Sequence, residues 1–81
     1  MVRVKIWGSL RALVDGRAYL EVDAKTLKDV IDEIEKNEPA LRPQLQRGVS
    51  FSVDGLIYSD SWCVPLSGDE EVVMLPRLVG G

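Results

Sequence analysis

The sequence predicts an α+β domain, a mixed sheet packed against one main helix. Three observations predict it: segments of period-two alternation towards both ends of the chain, one amphipathic segment of helical period between them, and an Asp-Gly pair in each half where the chain must turn. At 81 residues the chain has room for one domain, taken as residues 1–81.

The elements follow in order. In residues 2–7 Val2, Val4 and Ile6 alternate with Arg3, Lys5 and Trp7, the pattern of a half-buried strand. Gly8–Leu13 is expected to be a connection longer than a tight hairpin, and Asp15-Gly16 a turn. Residues 18–22 alternate again, with Leu20 and Val22 on one face. A helix is predicted from about Leu27 to Lys36. Thr26 is its N-cap, with Asp29 three residues later, and Leu27, Val30, Ile31 and Ile34 form one stripe. Asn37 and Pro39 end it, and residues 39–47, with two prolines, are expected to be turn-rich. Val49, Phe51 and Val53 point inward from a third strand. Asp54-Gly55 signals a tight hairpin into Leu56-Ile57-Tyr58. After a turn at 65–69 the last strand is 70–76, and residues 77–81 form a flexible tail with nothing in sequence to hold it. Parallel pairing of the first and last strands requires a helical crossover. That arrangement is the β-grasp.

Composition removes several classes of function. Hydrophobic residues make up 46% of the chain, enough for a core. The net charge of -3 argues against nucleic acid, which favours a basic face, and suits a basic protein surface. Without histidine there is no histidine base for a serine or cysteine nucleophile. One cysteine and no histidine leave no zinc site, so no metal is expected. The lone Cys63 forbids an internal disulfide and fits a reducing cytoplasm. No apolar run approaches the ~18 residues of a membrane span, and no Walker loop or GxGxxG offers a nucleotide or cofactor site.

The final third, PLSGDEEVVMLPRLVGG, resembles the C-terminus of the MoaD/ThiS sulfur-carrier family, which includes the small subunit of molybdopterin synthase and the thiamine sulfur carrier. The residues that carry the resemblance are Pro65-Leu66, Gly68-Asp69-Glu70, the hydrophobic strand ending in Pro76, and Gly80-Gly81. The first strand, Leu10–Val14, Gly16, Thr26 and Val53-Asp54-Gly55 resemble the molybdopterin branch, so the likeness covers essentially the whole chain. It implies a ubiquitin-like β-grasp that is not catalytic alone. It also implies that the Gly81 carboxylate, with Gly80 beside it, is the reacting group. A ubiquitin-activating-like adenylyltransferase, using ATP and magnesium, would make the acyl-adenylate. A sulfur donor would convert it to a thiocarboxylate, and the larger catalytic subunit of molybdopterin synthase would receive the tail. No cofactor is held by the chain itself in this reading.

The residue types suit that chemistry. A carboxylate is a poor electrophile and needs adenylation first. Glycines thread a narrow channel and leave the carbonyl open. Met74, Leu75, Pro76, Arg77, Leu78 and Val79 are the candidate partner-binding residues. Met74 and Leu75 point to opposite faces, so one of them is expected at the surface. A Gly-Gly pair ends a random chain in roughly 0.5% of cases, which weighs against accident after such a strand. Cys63 is read first as a small buried apolar residue rather than a redox group, Trp7 as core or a partner surface, and Asp32, Glu33 and Glu35 as a solvated helix face. A protein modifier joined through Gly81, a thiamine or other sulfur carrier, and a binding domain with an inert tail remain open alternatives. The sulfur donor, the acceptor and the stoichiometry of any complex are not encoded in these patterns.

Overall fold

A computed structural model describes residues 1–77. The elements are β1 (Val2–Ile6), a 3-10 helix (Gly8–Val14), β2 (Tyr19–Val22), α1 (Leu27–Asn37), a 3-10 turn (Pro39–Leu41), α2 (Arg42–Arg47), β3 (Val49–Val53), β4 (Leu56–Tyr58) and β5 (Val72–Pro76). The five strands form one sheet in the order β2-β1-β5-β3-β4.

Local chemistry explains most of these elements. The Asp54-Gly55 pair has positive φ at both residues, 49° and 88°, the mirror-image turn that matches strand twist. It therefore sets Val53 opposite Leu56 and Ser52 opposite Ile57. At the start of α1 the Thr26 side chain accepts the Asp29 N–H at 3.2 Å, and Asp29 Oδ2 accepts the Lys25 N–H at 3.0 Å. Two N-terminal donors are thereby satisfied by side chains three to four residues apart.

The first and last strands pair in parallel at the centre, Val4 with Val72 and Ile6 with Met74. On the far side β5 runs antiparallel to β3, from Val53 opposite Val72 to Val49 opposite Pro76. One face of the sheet supplies Val4, Ile6, Phe51, Val72 and Met74, all essentially without solvent contact, and Leu27, Val30 and Ile34 of α1 join the same core. Ile31, predicted with that stripe, is only half-buried at its flank.

Two connections differ from expectation. Gly8–Val14 is a 3-10 helix that buries Leu10 and Val14, four residues apart. Residues 39–47 are helical rather than turn-rich. Pro39 and Pro43 stand in the first turns of the two short helices, where the missing N–H would have had no partner anyway. Leu41, at their junction, is fully buried and gives the segment its reason to fold.

Candidate functional site

Strand β5 delivers the chain towards its C-terminal residues, so the site is built outward from it. Val72 and Met74 face the core, whereas Val73 and Leu75 face the opposite side of the sheet. Met74 lies between Ile6 and Phe51 and is 0% exposed. As a candidate docking residue Met74 is therefore corrected to a core residue; of the pair, Leu75 is the one with surface to offer.

β1 ends before β5 does. The Trp7 N–H donates to Met74 O at 3.0 Å, and beyond that bond Leu75 and Pro76 pair with β3 alone. Pro76 has no N–H to give, and this half-free position does not ask for one. The early end of β1 also leaves an apolar groove of about 400 Å³ on the outer face, lined by Trp7, Ser50, Ile57, Ser59, Leu75 and Pro76. Trp7 is 53% and Ile57 61% exposed, so the apolar rim of the groove is open to solvent. The floor is polar but satisfied, with the Ser50 and Ser59 hydroxyls 2.7 Å apart. Ser50 is buried on the outer face of the sheet rather than in the core, and this bond satisfies its hydroxyl there.

Arg77, expected to begin an unheld tail, is anchored. Its N–H donates to Gly48 O at 3.3 Å, and its Nη2 donates to Asp60 Oδ1 at 3.0 Å. Leu78, Val79, Gly80 and Gly81, the remaining predicted site residues, lie outside the described residues.

Elsewhere the functional candidates are modest. Cys63, expected to be buried, is instead exposed and free, in a stretch whose neighbouring carbonyls, Trp62 O and Val64 O, accept the Lys28 and Leu27 N–H groups. Lys28 is held above its ordinary pKa by its hydrogen bond and charge pairing with Asp32. Among the described residues no cluster of His, Cys, Asp or Glu could hold a metal, and no helix is long and apolar enough to cross a membrane. Alternation had placed Trp7 on the outer face. Ile57, Ser50, Ser59, Gly48 and Asp60 were missed as site residues. The Asp-Gly hairpin register would have put Ile57 on the outer face, but nothing local links Gly48 or Asp60 to Arg77.

No protein-family model matches the chain, and no curated protein matches it by sequence. Solved structures do match. A chain of the Amycolatopsis orientalis BexX/CysO complex aligns over 100% of both chains with a TM-score of 0.74 at 21% identity. CysO of Mycobacterium tuberculosis, described as an antigen, aligns over 96% of this chain and 100% of its own, with a TM-score of 0.77 at 22% identity. SAMP1 from Haloferax volcanii aligns over 99% of this chain and 98% of its own, with a TM-score of 0.66 at 18% identity. The fold is the ubiquitin-like β-grasp. At these identities the fold is what is shared, and it is shared from end to end. The groove and the Arg77 anchor thus sit on a β-grasp fold, at the end of its strand β5.

Proposed function

We propose that this β-grasp protein is a sulfur carrier whose reacting group is the Gly81 carboxylate. One observation carries the reading. The central strand β5 ends beside an exposed apolar groove, and in the sequence three residues separate its last residue, Pro76, from Gly80-Gly81. A surface for holding an enzyme and a terminus for that enzyme to act on are thereby close in sequence.

The chemistry divides between the chain and its partners. A ubiquitin-activating-like adenylyltransferase joins the Gly81 carboxylate to the AMP portion of ATP, with magnesium, and pyrophosphate leaves. Sulfide then attacks the carbonyl, AMP leaves, and a thiocarboxylate remains. With a persulfide donor the first product is an acyl disulfide, which a second thiol cleaves. This chain contributes the acyl group, a slender Gly-Gly end and the docking groove around Trp7, Ile57, Leu75 and Pro76. Leu78 and Val79 give the tail apolar grip. The BexX/CysO complex is a precedent for such proteins seating on a partner. Among acceptors, the larger subunit of molybdopterin synthase is the one favoured by the match of Leu10–Val14 and Gly16 to that branch.

The test is charging in vitro with a matching activating enzyme, ATP, magnesium and sulfide. The product is located on the C-terminal peptide by mass spectrometry and trapped by a thiol-selective reagent in a Cys63→Ser background. That background matters because the free Cys63 thiol would itself react with the reagent, and localisation matters because oxidation of cysteine or methionine changes the mass by nearly as much as exchanging oxygen for sulfur. Deleting Gly81 abolishes the product; full charging after that deletion overturns the proposal. Stable adducts to lysines of other proteins, with no thiocarboxylate, would assign the protein modifier role instead. Transfer to a thiazole precursor would assign the thiamine pathway.

A further inference from the structure

We infer that Arg77, Asp60 and Gly48 form a latch that fixes where the reactive tail leaves the sheet, an inference that rests on the carrier reading above. Three contacts converge on Arg77. Its backbone N–H is bound to Gly48 O, its guanidinium is bound to Asp60, and its stem lies against the bare Cα of Gly48. A Cβ at residue 48 would stand 3.0 Å from Arg77 Cδ and 3.3 Å from its Cβ, closer than ordinary packing allows. Gly48 also has φ of +118°, which a side chain disfavours. The residue that closes α2 is thus a glycine for two reasons, its own backbone and the passage of Arg77 across it.

The Gly48 carbonyl is itself held in place. It accepts Gln44 Nε2 at 3.0 Å as well as the Arg77 N–H, and the Gly48 N–H returns to Gln44 O at 2.9 Å. The anchor therefore leads from the tail root into α2, whereas Asp60 lies beyond β4 in the long connection to β5. Arg77 bridges these two regions as the last of the described residues.

The consequence is geometric. Four residues, Leu78–Gly81, follow the latch, and fully extended they reach at most about 14 Å. A partner that seats the carrier on its sheet face must present its reacting atoms within that distance of Arg77. Opening the latch releases Arg77 itself and spreads the direction in which the chain leaves the sheet, which weakens productive docking without changing the reacting carbonyl. Arg77 and Asp60 are accordingly positioning residues. Their ion pair is exposed, 45% and 78% by side chain, so its effect is modest and salt-dependent.

The experiment uses the full chain and Asp60→Asn, which opens the ion pair without touching the tail. Two readouts are taken. In the first, the heteronuclear NOE of the Arg77 amide falls and its hydrogen exchange quickens, while the amides of β1 and β3 keep their wild-type values. In the second, KM for adenylation by the activating enzyme rises about two- to fivefold at low salt with kcat unchanged, the mark of lost positioning rather than lost chemistry. Asp60→Glu, which keeps the carboxylate, restores most of both. In an Arg77→Ala background Asp60→Asn has no further effect, because its partner is already gone. An unchanged Arg77 amide in Asp60→Asn overturns the latch, and so does an equal KM effect in the Arg77→Ala background. If the wild-type protein is not charged at all, the carrier reading fails, and the amide readout still decides whether the latch exists.

Discussion

Trp62 meets Phe51 edge to face, with ring centroids 5.9 Å apart and planes at 88°. Phe51 is the largest fully buried side chain of the sheet, and Trp62 lies in the long connection between β4 and β5. The pair pins that connection to the core. Replacing Trp62 with Leu keeps apolar bulk but loses the aromatic geometry, and is expected to cost about 0.5–1.5 kcal/mol. Urea unfolding followed by circular dichroism measures it, since Trp7 would then be the remaining tryptophan.

The helix offers a graded series. Thr26→Ala removes the side-chain cap on Asp29 N–H and is expected to cost about 0.5–2 kcal/mol. Ile34→Ala empties a site with no solvent contact, for about 2–5 kcal/mol. Ile31→Ala costs less than Ile34→Ala, because Ile31 is half-buried. The rank of the last two in a denaturation series checks how α1 sits on the sheet; a reversed order would contradict it.

Adjacent residues of β5 should separate folding from docking. Met74→Ala is expected to lose about 2–5 kcal/mol of stability. Leu75→Glu puts a charge in the outer groove, so it should leave a folded domain with a smaller loss while sharply weakening capture by the activating enzyme. Calorimetry of binding, beside thermal unfolding of each variant, distinguishes the two.

Acid stability should carry the signature of one turn. The Glu70 carboxylate accepts the Ser67 N–H at 2.9 and 3.0 Å, the Gly68 N–H at 3.0 Å and the Ser67 hydroxyl at 3.2 Å. These bonds, the Ser67 backbone foremost, hold its pKa below the ordinary 4.5. A depressed folded-state pKa means the contribution is fully present above 4.5 and is lost as the pH falls through the lower folded value. Glu70→Gln is expected to flatten that part of the stability profile below pH 4.5 and leave its slope above that pH unchanged. Denaturation midpoints across the acid range measure the difference.

The strands and α1 were legible because burial imposes a period on them. Val2, Val4 and Ile6 must share a face, and so must Leu27, Val30 and Ile34. The short helices were not, since a six-residue element such as Arg42–Arg47 with a proline in its first turn is too brief for a period to register. Its one strong cue, Leu41, becomes a core residue through contacts distant in sequence. The outer groove was half legible: alternation places Trp7 and Leu75 on the same side of the sheet, but Ile57 reaches them through hairpin register. Gly48 and Asp60 belong with Arg77 through separations of 29 and 17 residues, too far for any local pattern to announce.

The parallel pairing of β1 with β5 has a bearing on how the protein is born. The centre of the sheet is shared by the first strand made and the last, and β3 too finds its inner neighbour in β5. While a ribosome is still synthesising the chain, β1 and β3 each lack the strand that lies between them, and their apolar faces have no complete core to enter. Contacts this distant in sequence also form slowly. The domain is thus expected to fold only once β5 has been synthesised. A chain ended before β5 would lack the middle of its sheet, and would be left for proteases.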